Sequence, residues 1–401
     1  MNPTFASFAG ALALSFACGA CLAQKRYDPG ASDTTIRIGQ TMPYSGPASA
    51  YGTIGKAQAA YFRMLNERGG IDGRRIEFLS LDDGYSPPKA VEMTRRLVER
   101  DEVLFVFGTL GTPSNSAIRK YLNDRRVPQL FAATGAAKWN DPRHFPWTMG
   151  GQPDYRTEAR IYAQHILRTK PDARVGVLYQ DDDFGKDYLA GLREGFGAHA
   201  SEAIVAEASY QVSDPTVDSQ IVMLQGAGAN VFVNVTTPKF AAQAVRKAWD
   251  IGWRPLQYLA SVSVSVNSVM RAAGLEKGVG IVSSAYLMTP GDPEWADAPA
   301  MRQWRDWMAK YYPEGDTTDY LNVYGYVTAQ LVEQVLRQAG DELTRENVMR
   351  QAASLRRFAP AMMLPGITVA TGEDDFAPFE SLQLMRFDGK SWVRFGEVIG
   401  E

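Results

Sequence analysis

Cysteine is almost absent from this chain: Cys18 and Cys21 are the whole complement, and both lie within the first 23 residues. Once that segment is removed, no thiol is left for a disulfide, a thiolate metal site or thiol catalysis. Histidine is nearly as scarce, and His144, His165 and His199 do not stand at a metal-binding spacing such as HExxH. A GxSxG elbow, a Walker A loop and a GxGxxG run are all missing. The acidic run Asp181-Asp182-Asp183 lacks the alternating ligands and closing Glu of a calcium loop, and reads as a solvated loop after a strand. With no base, nucleophile or metal set in view, catalysis has no visible machinery and no cofactor is implied. A net charge of −3 gives no basic footprint for nucleic acid, and no block of like charge marks a membrane-surface patch.

What is present is an ordinary globular composition. The 401 residues are 45% hydrophobic and 22% charged, enough for two or three domains stabilised by core burial. The opening stretch differs from the rest. Residues 1–23 carry no charge, 8–17 form an apolar run, and Cys21-Leu22-Ala23 places small residues before Gln24-Lys25-Arg26. The run is too short for a transmembrane helix and reads as a signal peptide over 1–23, cut after Ala23, although the usual basic n-region is lacking. The mature protein is thereby assigned to the periplasm. Lipidation of Cys21 is the other fate to weigh, against which Cys18-Gly19-Ala20 lacks the Leu of a lipobox.

After a polar linker at 25–34, short β-rich runs alternate with long amphipathic helical patterns. Strands are expected at 35–41, 75–82, 103–108, 129–132, 174–179, 204–209, 231–234, 257–260 and 280–284. Helices are expected at 55–69, 88–100, 115–123, 156–169, 188–196 and 239–251. This alternation, with continuously apolar strands, argues for parallel sheets covered by helices on both faces. The pattern also repeats. Phe105-Val106-Phe107-Gly108 leads to Thr112-Pro113 and a helix bearing Arg119-Lys120; Phe232-Val233-Asn234-Val235 leads to Thr237-Pro238 and a helix bearing Arg246-Lys247. Two homologous α/β lobes account for it, with coincidence between common βα units as the alternative. The tail predicts helices at 320–339 and 344–353, an extended stretch at 364–369, and a hairpin turning at Asp388-Gly389.

Open parallel sheets bind ligands beyond the carboxyl ends of their strands. The loops there are small and rich in hydroxyls: 44–52 after the first strand, 109–115 after the third and 133–136 after the fourth. Thr112, Ser114 and Asn115 are natural helix caps, and the same helix start is a ready carboxylate cradle. Tyr51 reads equally as a packed aromatic and as a surface for ligand stacking.

The run Ile36-Arg37-Ile38-Gly39-Gln40, followed by Ser45-Gly46-Pro47, Tyr51-Gly52 and Asn66-Glu67-Arg68-Gly69-Gly70-Ile71-Asp72-Gly73, resembles one family. It is the branched-chain amino-acid (leucine/isoleucine/valine) type of ABC-transporter solute-binding protein. Gly108, Thr112 and Ser114 before a helix, Val127-Pro128 leading to Ala132-Ala133-Thr134, and Phe184-Gly185 extend the likeness over nearly the whole mature chain. The resemblance implies a type I periplasmic binding protein: two Rossmann-like lobes with a three-crossing hinge, closing on a ligand. Lobe 1 is then 34–152 plus 284–376, and lobe 2 is 153–283 plus 377–401. It implies a monomer that passes a small organic carboxylate or amino acid to an inner-membrane permease.

Carried over by position, the family's carboxylate contacts fall on Gly111, Thr112, Ala133, Thr134 and Gly135, and its first-lobe aromatic on Tyr51. The second-lobe aromatic falls on Phe184, and Thr236 and Ser263 complete the candidate set. One departure stands out. Amino-acid binders of this family hold the ammonium with a second-lobe acid soon after the strand ending at Ala260, where this chain has Ser261-Val262-Ser263-Val264-Ser265. A buried ammonium without a counter-charge costs several kcal/mol. An aromatic acid is therefore favoured over an amino acid. The 131–139 and 145–149 stretches also look like members associated with aromatic acids. A ligand-sensing module of a receptor is a different class that the same fold serves, and an enzyme on this scaffold a third.

Overall fold

The structure, a computed structural model, describes residues 25–400, so the leader assigned to 1–23 lies outside the described residues. Two open sheets organise the chain. The first holds, in spatial order, Arg75–Asp82, Thr35–Met42, Phe105–Phe107, Gln129–Ala132 and Thr148–Gly150, every pair parallel. Ile36, Ile38, Phe105, Val106 and Phe107 are fully buried, as expected where helices cover both faces of a parallel sheet. The helices Gly52–Glu67 and Tyr320–Ala339 pack together on this lobe, joined by a bond from Gln58 Nε2 to Thr328 Oγ1. Gly325 permits the approach, because a Cβ there would stand 2.7 Å from the Ile54 carbonyl oxygen.

The second sheet begins with five parallel strands, Ile204–Tyr210, Val175–Gln180, Val231–Val235, Leu256–Leu259 and Val282–Ala285. It ends in the antiparallel pair Ser381–Phe387 and Trp392–Gly400, turning through Gly389 in the left-handed region at φ 102°. The chain passes between sheets after Thr148–Gly150, after Val282–Ala285, and before Ser381–Phe387. Two α/β lobes thus share three crossings, the architecture the sequence implies.

Several local expectations need correction. The stretch 25–34 is not a free linker. Arg26–Tyr27 pairs with Glu342–Leu343, and Arg74, 2% exposed, reaches the Tyr27 hydroxyl, the Ser32 carbonyl and the Asp341 carboxylate. A buried guanidinium needs acceptors, and this polar segment provides them. The helix expected from 188 begins earlier, at Asp183–Phe196, because Asp182 caps it by accepting from the N–H groups of Phe184 and Gly185. The acidic run is therefore partly a helix start. Helices at Asp218–Gly226 and Pro299–Tyr311 and the strand Thr148–Gly150 were not anticipated.

Candidate ligand-binding site

The loops beyond the carboxyl ends of the two sheets meet. Gln180 Nε2 donates to the Tyr85 hydroxyl at 3.3 Å, the Ala137 N–H to Asp187 at 2.9 Å, and Lys138 pairs with Asp183 at 2.5 Å. The lobes are closed on each other. Two small cavities of about 20 Å³, each room for about one water, lie among the loops where they meet. One is lined by Tyr51, Tyr85, Gly111, Thr112, Ala133, Gln152, Tyr155, Phe184, Thr237 and Val262, with Leu110. The other shares Tyr51, Gln152, Tyr155 and Val262, and adds Ser261, Tyr286, Tyr320 and Tyr324 among others.

The polar end of the first cavity follows from the start of the helix Thr112–Asp124. Gly111 precedes it at φ 93°, and a Cβ there would stand 2.5 Å from a ring carbon of Tyr85, so glycine is required. Thr112 Oγ1 lies 2.7 Å from Thr134 Oγ1. Thr134 Oγ1 already accepts from Trp139 Nε1 at 3.1 Å and from the Ala136 N–H at 3.3 Å. Both lone pairs of Thr134 are therefore engaged, and its proton goes to Thr112. That leaves the Thr112 proton to be donated into the cavity. Ser114 Oγ is buried without a partner in the same first helical turn, whose N–H groups carry the positive end of the helix dipole. The Thr112 hydroxyl at this helix start suits an anion, while Ser114 does not line the cavity.

The loop holding Thr134 is shaped by strain. Phe131, fully buried, sits at φ 50°, and the pairing of Gln129–Ala132 with Thr148–Gly150 shifts register there. Such a conformation costs on the order of 1–3 kcal/mol for a non-glycine residue, and a register shift of this kind bends the strand. Gly135 follows, where a Cβ would run into the Pro153 carbonyl.

The apolar wall is aromatic. Phe184 and Tyr155 rings stand 4.9 Å apart, and Tyr155 stacks obliquely on Tyr188 at 5.3 Å. Burial pushes the Tyr51 phenol well above its ordinary value, opposed by the Ser263 hydroxyl from the other lobe. No carboxylate lines either cavity, yet two lie just behind. Asp182 is pushed up to about 6 by burial, against bonds from Gln180 and from the Phe184 and Gly185 N–H groups. Glu158, 1% exposed and raised by burial, accepts from the N–H and the hydroxyl of Ser261. An acid thus does reach the Ser261–Ser265 loop, from a different element.

Of the residues singled out from the sequence, Tyr51, Gly111, Thr112, Ala133 and Phe184 line one cavity. Thr134 stands behind Thr112, and with Gly135 it faces a larger cavity of about 330 Å³ across Gln152-Pro153, bounded by the hinge segment 376–380. Thr236 lines neither cleft cavity; its hydroxyl turns back to Asn234 at 2.7 Å, and Thr237 lines the cleft instead. Ser263 donates to the Thr236 carbonyl. Tyr85, Gln152, Tyr155 and Ser261 were not singled out as binding residues. Tyr85 and Ser261 follow strands, where the strand-end rule could have found them, whereas Gln152 and Tyr155 follow a strand too short to be read from the sequence.

Paired α/β lobes closing over such a cleft define a type I periplasmic binding protein. The chain belongs to the periplasmic binding protein family, whose description matches residues 35–391. A Leu/Ile/Val-binding protein homolog 3 from Brucella melitensis is 26% identical over 204 residues, covering 49% of this chain and 53% of that relative, so the match spans about half of each. A substrate-binding periplasmic protein from Ralstonia solanacearum superposes with a TM-score of 0.80 at 25% identity, covering 91% of this chain and all (100%) of the other. A branched-chain amino acid ABC transporter protein from Thermus thermophilus with bound valine reaches a TM-score of 0.82 at 18% identity, covering 92% and 98%. Among the described residues no helix is long and apolar enough to cross a membrane, and no cluster of His, Cys, Asp or Glu could hold a metal.

Proposed function

We propose that this protein is the periplasmic solute-binding component of an ABC transporter, carrying a small organic carboxylate, with an aromatic acid favoured, to an inner-membrane permease. Its lobes, 34–152 plus 284–376 and 153–283 plus 377–401, part to admit the ligand and close over it. The observation that carries this reading is the proton order at Thr112 and Thr134. It leaves a hydroxyl donor at the start of a helix, a donor end without a cationic side chain. The tyrosines and Phe184 around the cavities suit a flat apolar body, each ring pair adding on the order of 1 kcal/mol beyond area burial. A ring-sized ligand needs the lobes to stand further apart than in this closure, which the hinge allows.

An amino acid is the second reading, supported by Glu158 and Asp182 just behind the walls. Calorimetry with an aryl-propionate against its α-amino counterpart separates the two. Tighter binding of the amino-bearing ligand would return the protein to amino-acid transport. A thermal-shift screen of small carboxylates comes first, since a ligand that binds only the folded state raises Tm.

A further inference from the structure

Ser261 lines the second cavity at the opposite end from Thr112. Its hydroxyl donates to Glu158 Oε2 at 2.7 Å, and its N–H to Glu158 Oε1 at 2.8 Å. Glu158 lies in the first turn of the helix Tyr155–Thr169, and its Oε1 stands 2.5 Å from the Tyr162 hydroxyl, whose single proton also has the Leu259 carbonyl at 2.9 Å. Two donors from Ser261 and the positive end of a helix hold this side chain as an acceptor, against the burial that raises its carboxyl. A serine hydroxyl has one proton and two lone pairs, and the Ser261 proton is committed to Glu158. Toward the cavity Ser261 therefore presents a lone pair. The cleft is polarised: donors at Thr112, an acceptor at Ser261, and the aromatic rings of Tyr51 and Tyr155 between them.

We propose that this polarity selects an aryl carboxylate bearing a hydrogen-bond donor, such as a hydroxyl, at the end remote from its carboxylate. Ser261 makes the contact and Glu158 is the positioning residue that orients its hydroxyl. The inference rests on the carboxylate reading above and narrows it. A site built around a polar group discriminates against the analogue lacking that group, because the buried acceptor is otherwise left without a partner.

Calorimetry on the full mature chain with para-hydroxy and para-fluoro members of the benzoate and cinnamate series tests it. The two substituents are close in size, and only the hydroxyl donates. The hydroxy member is expected to bind about tenfold more tightly, the effect of one satisfied buried hydrogen bond. In Glu158→Gln the side-chain carbonyl keeps the Ser261 N–H and Tyr162, and the amide NH₂ donates to Ser261 Oγ, turning the serine proton into the cavity. The hydroxy-to-fluoro ratio should then fall to about twofold or less. A purely structural role for Glu158 would weaken both ligands alike and leave the ratio unchanged. Ser261→Ala gives the same collapse of the ratio without touching Glu158, should the glutamine variant fold poorly. Equal affinities in the unmodified protein, or a ratio that survives both substitutions, overturns the inference while leaving carboxylate binding intact. If no member of either series binds, the aryl-acid reading falls, and this inference with it.

Discussion

Thr134 hands its hydroxyl proton to Thr112, 2.7 Å away, because Trp139 and the Ala136 N–H occupy its lone pairs from behind. The two threonines therefore respond differently to loss of the hydroxyl. Thr112→Val removes the donor itself and should weaken carboxylate binding by about ten- to a hundredfold, the range for a hydrogen bond to a charged group, and it also costs some stability because the buried Thr134 proton loses its acceptor. Thr134→Val leaves the Trp139 indole N–H buried without an acceptor, and should lower stability by about 1–3 kcal/mol. Calorimetry and chemical denaturation on both variants would show whether binding and stability separate in this way.

The link from Tyr85 to Gln180 is one of the few direct bonds between lobes beside the cleft. Gln180 keeps one amide hydrogen on Asp182 when the tyrosine hydroxyl is removed, but the hydrogen given to Tyr85 loses its acceptor, so Tyr85→Phe weakens the closed state. The expected result is a faster ligand off-rate by about two- to fivefold, in line with a hydrogen bond worth about 1 kcal/mol. Stopped-flow displacement measures it. An unchanged off-rate would show that this contact does not hold the closed state.

Asp319 caps the helix Tyr320–Ala339 while 4% exposed, and burial pushes its carboxyl up to about 6. The ordinary value is 3.8, so between about 4 and 6 the folded state holds the proton more tightly than the unfolded chain. Its contribution is present at low pH and lost as pH rises through about 6. Asp319→Asn removes this dependence. The Tm of the variant minus that of the unmodified protein should rise across this window and level off above it. A flat difference from pH 4 to 7.5 would mean that Asp319 titrates normally.

Gly325 sets helix propensity against packing. Alanine is favoured over glycine in a helix by about 1 kcal/mol. Here a Cβ would stand 2.8 Å from the Ala57 Cβ as well as against the Ile54 carbonyl. Overpacking of this kind costs about 1–3 kcal/mol, so Gly325→Ala should destabilise on balance. Denaturant unfolding reads the sign. A gain in stability would show that the two helices can move apart at no cost.

Where local pattern decides structure, the sequence was readable. The helix Tyr320–Ala339 ends at Gly340, which takes the left-handed φ of 57°, and both bounds could be placed from the apolar period and that glycine. Thr148–Gly150 is too short to show any period. Pro299–Tyr311 buries Met301, Trp304, Met308 and Tyr311, a helical spacing that was present in the sequence and overlooked. The cleft divides along the same line. Thr112 and Phe184 open helices just after strands, a position the strand-end rule points to. Glu158 and Ser261 are 103 residues apart, and nothing local at either position announces their contact. The acid looked for within 261–265 arrives from a helix packed beneath it, a substitution of elements that spacing along one chain does not reveal.

Gln152 belongs to the first crossing between the sheets, yet it lines both cleft cavities and the larger cavity on the far side. It also accepts a bond from the Tyr155 hydroxyl at 3.2 Å. A residue of the crossing is thus part of the cavity wall. On the proposed function, recognition and bending would share one residue, as though the latch were cut from the same piece as the hinge. Tuning this carrier for a new solute by changing Gln152 would also retune how far it shuts, so affinity and compaction, followed by calorimetry and small-angle scattering, should shift together in any Gln152 variant.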